Sequence, residues 1–223
     1  KRLIIEYQQF VANITLIERE IHLSHQLNYV FVGLRRAGKS YLMYQQIQSL
    51  LNDGHQPEEI LYFNFEDDRL VNLTVEDLDL IKVSYEELYP HKPIFFLDEI
   101  QNVPDFPKVL DSLYIKNNVD IYVTGSNAYM LSSEIATMIS GRYVQIEMLP
   151  LSFREYMEST GSMNDRGIKY AEYLQNSSFP YTLKLKNQPN EIREYLEGIY
   201  NTIVVKDIVN RKKITDTMML KSV

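Results

Sequence analysis

Gly33-Leu34-Arg35-Arg36-Ala37-Gly38-Lys39-Ser40 fits the pattern G-x-x-x-x-G-K-[ST] and lies between a short apolar run, Tyr29-Val30-Phe31-Val32, and a stretch with helical spacing. That succession of strand, loop and helix decides the fold. Glycines let the backbone bend and approach anionic oxygens closely, so that consecutive N–H groups converge on one point. The N-terminus of the following helix adds partial positive charge to those donors. Lys39 supplies a full charge, and the Ser40 hydroxyl is a hard oxygen ligand suited to Mg²⁺. The pattern arises by chance in on the order of 1% of chains this long, and its setting makes chance rarer still. The stretch predicts a phosphate cradle, with Gly33, Arg35, Arg36, Ala37, Gly38, Lys39, Ser40 and Tyr41 binding ATP and Mg²⁺. Arg35 and Arg36 either contact phosphate or face solvent; spacing leaves both open.

Outward from the loop, apolar runs alternate with helical patterns. Arg2 to Leu27 reads as one helix, with Leu3, Tyr7, Phe10, Ile14, Ile17 and Ile21 three or four residues apart. Lys39 to Asn52 reads as a helix stopped at Asp53-Gly54. Ile60 to Phe65 is a second strand, and Thr74, with Asp77 three residues on, opens a helix that ends by Pro90. Ile94-Phe95-Phe96-Leu97 is apolar on both faces, as a central parallel strand should be. A helix from about Asp105 to Asn117, a strand from Asp120 to Thr124, a helix to about Ile139 and a strand from Tyr143 to Ile146 complete the series. The βαβαβαβαβ order predicts a parallel sheet with right-handed crossovers. After Pro150 the strands cease. Ser152-Phe153-Arg154-Glu155 is a capping box, and Asn190 is the expected cap of a helix reaching about Arg211.

Asp98-Glu99 closes the third strand, at the carboxyl edge where ligands bind in such sheets. Some 60 residues after a phosphate loop, Asp98 is expected to hold the Mg²⁺ shell and Glu99 to polarise an attacking water. Val123-Thr124-Gly125-Ser126-Asn127 ends the fourth strand at the same edge. A small polar residue such as Asn127 is placed there to sense the terminal phosphate or orient water, and Ser126 or Asn127 is equally suited to cap the next helix; the two readings are compatible. By spacing alone Arg142 is a surface charge. His22 and His25, three apart in the first helix, have no acidic partners in ligand spacing.

The composition suits one large core with a smaller appended part: 223 residues, 45% hydrophobic and 24% charged. A net charge of −7 gives the surface as a whole no attraction for nucleic acid or anionic membrane. Cysteine is absent, so there is neither a disulfide framework nor a thiolate metal site, and a reducing, cytoplasmic compartment is expected. No apolar run approaches the roughly 18 residues that span a bilayer, and no signal peptide opens the sequence. With Lys1 first and Met219-Leu220-Lys221-Ser222-Val223 last, the sequence is expected to be a fragment.

Five stretches occur in one order: Gly33 to Ser40, Phe96-Leu97-Asp98-Glu99-Ile100-Gln101, Thr124-Gly125-Ser126-Asn127, Ser140-Gly141-Arg142-Tyr143 and Leu149-Pro150-Leu151-Ser152-Phe153-Arg154-Glu155. Together they resemble the prokaryotic AAA-type ATPases that carry a C-terminal domain of unknown function. Tyr200 and Lys206-Asp207-Ile208 resemble the helix after the ATPase core in that family. The resemblance implies an α/β fold with an AAA+-like P-loop NTPase sheet of order 5-1-4-3-2, flanked by helices. The expected organisation is an N-terminal helix over residues 1–27, a P-loop core over 28–150 and a helical segment over 151–223, the truncated start of a further domain. The resemblance also makes Arg142 a candidate arginine finger, so that Glu99, Asn127 and Arg142 form the expected catalytic set, with Ser40 and Asp98 on the metal. The family usually shows Gly-Gly where this sequence has Ser177-Ser178 before Phe179-Pro180, which limits how closely that turn approaches a nucleotide. Its C-terminal domain is absent, so nucleic acid or protein partners are expected only through that missing region. A homo-oligomer is an open expectation.

The implied activity is Mg²⁺-dependent ATP hydrolysis driving or gating a conformational change. The alternatives are a slow-turnover nucleotide switch of the STAND type and, less well matched, a small-molecule kinase. An Arg-rich lid is missing after the fifth strand, and Glu99 suits water activation better than phosphorylation of an alcohol.

Overall fold

The computed structural model describes residues 1–24, 27–70, 73–117, 120–126, 143–161, 165–185 and 188–203. Five strands carry the fold: β1 (Tyr29–Gly33), β2 (Ile60–Asn64), β3 (Ile94–Asp98), β4 (Ile121–Gly125) and β5 (Val144–Met148). They form one sheet of order β2-β3-β4-β1-β5, and every pairing is parallel. The expected order 5-1-4-3-2, read from the other edge, is this one.

Alternation along each strand builds two cores, one on each face. Val30, Val32, Leu61, Phe63, Phe95, Leu97, Ile121 and Val123 pack on one face with Tyr85, Phe106 and Leu110. Tyr29, Phe31, Ile60, Tyr62, Ile94, Phe96 and Tyr122 pack on the other, with Leu42, Met43, Ile47 and Leu50 of α2 (Lys39–Asn52). Phe96 and Tyr122 stack across β3 and β4 with centroids 4.5 Å apart and planes 5° from parallel. Burying side chains of this size contributes about 1.5–3 kcal/mol each.

Among the described residues, the other α-helices of this unit are α1 (Arg2–Asn13), α3 (Val75–Glu86) and α4 (Phe106–Asn117). Thr74 and Asp77 make the capping box that opens α3. The first helix is much shorter than its periodicity predicts. It stops at Asn13, and Ile14 is extended at φ −73°, ψ 136°. Tertiary contacts outweigh the pattern there: the Gln48 amide on α2 donates to the carbonyls of Val11 (3.2 Å) and Ile14 (2.8 Å). Residues 14–24 then run without helix, so His22 is not helical and His25 lies outside the described residues. What remains of α1 seals the edge of β2, where Gln8 donates to the Ile60 carbonyl at 2.9 Å and accepts from Tyr89 at 3.0 Å.

The chain divides into two compact units at Leu149 and Pro150. In the second, α5 (Phe153–Ser159) opens on the expected capping box: Glu155 N donates to Ser152 Oγ, and Ser152 N to Glu155 Oε2. Next comes α6 (Arg166–Asn176), a helix not expected from the sequence and without a buried residue. The last described helix, α7 (Pro189–Asn201), takes Gln188 as N-cap and Pro189 as its first residue. Asn190 therefore lies inside the first turn instead of capping it, because proline's fixed φ already suits the helix start. The expected extension to Arg211 falls outside the described residues.

Candidate functional site

β1 delivers the chain to the loop at Gly33, whose φ is 140°. A Cβ there would collide with the backbone of Met148, its register partner on β5, so only glycine fits. Arg36 is left-handed at φ 63°, and the Ala37 N–H donates back to the Leu34 carbonyl at 3.3 Å. Gly38, at φ 102°, caps α2, which begins at Lys39. The loop thus brings a 14-residue helix N-terminus to the carboxyl edge of the sheet, where unpaired N–H groups and the helix dipole favour anions.

Lys39 is 4% exposed. Its ammonium donates to the carbonyls of Gly33 (3.2 Å) and Leu34 (3.1 Å) and lies 3.8 Å from Glu99 Oε1. Burial pulls its pKa down, against the opposing pull of Glu99 and Asp98. The loop has made this cation costly to keep charged, which favours an anionic partner. Tyr41, on the first turn of α2, is partly exposed with its ring tilted against Tyr44. Arg35 lies 3.9 Å from Glu66, beside the loop.

Asp98 ends β3 with no exposed surface. Tyr62 donates to its Oδ2 at 2.8 Å, Thr124 donates to its Oδ1, and the nearby Ser40 hydroxyl also favours its ionised form. Burial still pushes this carboxyl up despite those donors. The Tyr62 hydroxyl in turn meets Tyr44 at 2.9 Å, extending the polar network into the core. Glu99 follows in left-handed conformation at φ 54°, and its backbone N–H donates to Thr124 Oγ1 at 2.9 Å. Its Oε2 accepts from Gln101 Nε2 (2.5 Å) and from the Ser126 N–H (3.2 Å).

Lys39, Ser40, Asp98 and Glu99 therefore converge at one edge of the sheet. The candidates Asn127 and Arg142 lie outside the described residues. Several residues join the site that sequence reading did not single out. Thr124 carries no motif signal of its own, yet it links the Asp98 carboxylate to the Glu99 backbone. Glu66 sits just past β2, its pKa raised first by burial and then by Glu99. Its place beyond a strand's carboxyl end is the signal that could have found it. Arg19, 5% exposed in the non-helical segment, donates to the Ala37 carbonyl at 2.9 Å and had no sequence signal.

Among the described residues no helix is long and apolar enough to cross a membrane. The residue types fit a nucleotide with its metal: left-handed Gly38 opens a helix N-terminus, and a buried cation, a hydroxyl and a carboxylate converge beside it. The family profile for an AAA domain matches residues 25–157. An uncharacterized protein of Haemophilus influenzae is 36% identical over 93% of this chain and 54% of its own length. An uncharacterized protein of Methanocaldococcus jannaschii is 31% identical over 99% of this chain and 51% of its own. The chain thus spans about half the length of these relatives. Among solved structures, AMPPCP-bound DnaA from Aquifex aeolicus aligns with TM-score 0.48 and 15% identity, over 94% of this chain and 69% of that one.

Proposed function

The chain belongs to the AAA domain family, nucleotide-binding and ATPase-like, and on that premise we propose that it binds and hydrolyses ATP with Mg²⁺ and couples turnover to a conformational change. The observation that carries this reading is the convergence of Lys39, Ser40, Asp98 and Glu99 at the N-terminus of α2. In this reading the loop amides and Lys39 bind the phosphates, and Ser40 with Asp98 holds the metal. What a bound Mg²⁺ supplies is charge neutralisation on the phosphoryl oxygens. Glu99, next to Lys39 and held by Gln101, takes the proton of the attacking water. The nucleotide core is assigned to residues 28–150 and a helical part to 151–223. Any protein or nucleic-acid partner is assigned to the portion of the relatives' length that this chain does not span, and the compartment to the cytoplasm.

Replacing Glu99 with Gln tests the reading, because the amide keeps the shape and cannot take up a proton. ATP binding should persist while phosphate release falls by about a hundredfold or more. Turnover at the wild-type rate in Glu99→Gln would return Glu99 to a structural strand end. One observation favours a second reading, a slow nucleotide-dependent switch: Glu99 Oε2 is already engaged by Gln101 and the Ser126 amide. Steady-state phosphate release that stays far slower than nucleotide exchange would select the switch.

A further inference from the structure

Arg19 is a buried cation that the chemistry above does not use. Its segment precedes β1, and its backbone is fixed from α2: Arg19 N donates to Gln45 Oε1 at 2.8 Å, and Gln45 Nε2 donates to the Arg19 carbonyl at 3.0 Å. Its guanidinium reaches two backbone carbonyls at once. Nη1 donates to Ala37 in the phosphate loop at 2.9 Å, and Nη2 to Leu149, just past the end of β5, at 2.8 Å. A planar fork with fixed donor directions is pre-organised to hold both, whereas an ammonium is a compact charge on a flexible stem.

We infer that Arg19 is a positioning residue for nucleotide binding, fixing the Ala37–Gly38 peptide so that the Gly38 N–H faces the phosphate side of the loop. The inference rests on the nucleotide reading above. A trans peptide is planar, and its C=O and N–H point in opposite directions. Holding the Ala37 oxygen on the Arg19 side therefore turns the Gly38 N–H to the other. Gly38, at φ 102°, is free of the Cβ restraint that would otherwise orient this unit. Without the guanidinium the peptide can rotate, and a donor aimed at phosphate is lost along with a satisfied buried carbonyl. The bond to Leu149 ties the same guanidinium to the β5 end, so the loop is referenced to the sheet and not only to α2.

Two variants and one wild-type measurement test this. Titration calorimetry with Mg-ADP gives the affinity, and thermal unfolding without nucleotide reports whether each variant is folded. Arg19→Gln should lose roughly tenfold or more in affinity while folded, and Arg19→Lys, able to satisfy one carbonyl, should lose less. Loss of a brace that merely stabilises the fold would lower the melting temperature and leave the affinity of the folded protein unchanged. The wild-type measurement needs no variant to fold. Ala37-Gly38 is the single Ala-Gly pair in the sequence, so labelling alanine carbonyls with ¹³C and glycine nitrogens with ¹⁵N isolates one amide resonance. That resonance should move downfield on saturation with Mg-ADP, as expected of an N–H donating to phosphate. Wild type that binds with the Gly38 resonance unmoved, or folded Arg19→Gln that binds as tightly as wild type, overturns the inference. Wild type that does not bind Mg-ADP at all overturns the nucleotide reading, and this inference with it.

Discussion

Lys39 and Asp98 are both buried, and burial works against the charge on each. Such a pair is retained for what it binds and not for what it adds to the fold. Lys39→Ala should leave a folded protein whose Mg-ATP affinity, read by calorimetry, is lower by roughly ten- to a hundredfold. Asp98 makes a prediction in pH. Its folded-state carboxyl titrates above the ordinary value of about 3.9, so the folded protein holds a proton that the unfolded chain releases. That contribution to stability is complete below the unfolded value and is lost as pH rises through the folded one. Asp98→Asn does not titrate, so melting temperatures of variant and wild type measured side by side should shift in the variant's favour from about pH 4 upward. The gap should level off above the folded pKa. A gap independent of pH would mean that Asp98 titrates alike in both states.

Two turns show what backbone conformation demands of particular elements. Gly33 ends β1 against the Met148 backbone, with the Met148 carbonyl carbon 3.1 Å and its nitrogen 3.2 Å from where a Cβ would stand. Since the obstacle is main chain in a paired strand, it cannot swing aside. Gly33→Ala should cost about 1–3 kcal/mol or more, visible as a lower melting temperature before any effect on nucleotide is considered. Ser177 presents the opposite case. It ends α6 at φ 70°, ψ 164°, a region close to glycine's own. The resemblance drawn from the sequence has Gly-Gly at this place, and the serine holds a glycine-like conformation without being glycine. Ser177→Gly should relieve more strain than the added chain entropy costs, a net gain of about 1 kcal/mol. Thermal unfolding checks it, with an expected rise of about 2–4 °C.

For the whole molecule, the open matter is whether one copy makes a complete active site. By the family resemblance, Arg142, two residues before β5, is a candidate finger for a neighbouring subunit's phosphate, where a planar, permanently charged fork would suit the transition state. Turnover should then rise more than linearly with protein concentration. Arg142→Ala should lose turnover while keeping ATP affinity, and mixing it with Lys39→Ala should restore part of the activity, one mutant donating the finger and the other the pocket. Because such a finger contributes on the order of a thousandfold, partial rescue is easy to detect. Concentration-independent turnover with no rescue returns Arg142 to a surface charge.

The sequence by itself determined the parallel sheet, its strand order through the resemblance, and the meeting of Lys39 and Ser40 with Asp98 and Glu99. These follow from local signals: strands apolar on both faces, a glycine-bracketed loop, and acidic residues at a strand's carboxyl end. What only the tertiary structure decided depends on side chains meeting across long sequence separations. The periodicity from Arg2 to Leu27 is helical throughout, yet α1 stops at Asn13 because Gln48 takes the Val11 and Ile14 carbonyls. Thr124 becomes the link between Asp98 and Glu99 only when β4 pairs with β3. Arg19 reads in sequence as one more charge on a helix. It becomes a clamp on the phosphate loop because the chain leaves the helix early and carries its guanidinium between the loop and the end of β5. Periodicity records which face a residue prefers; it does not record which distant carbonyl lacks a donor, and that need fixed Arg19 in place.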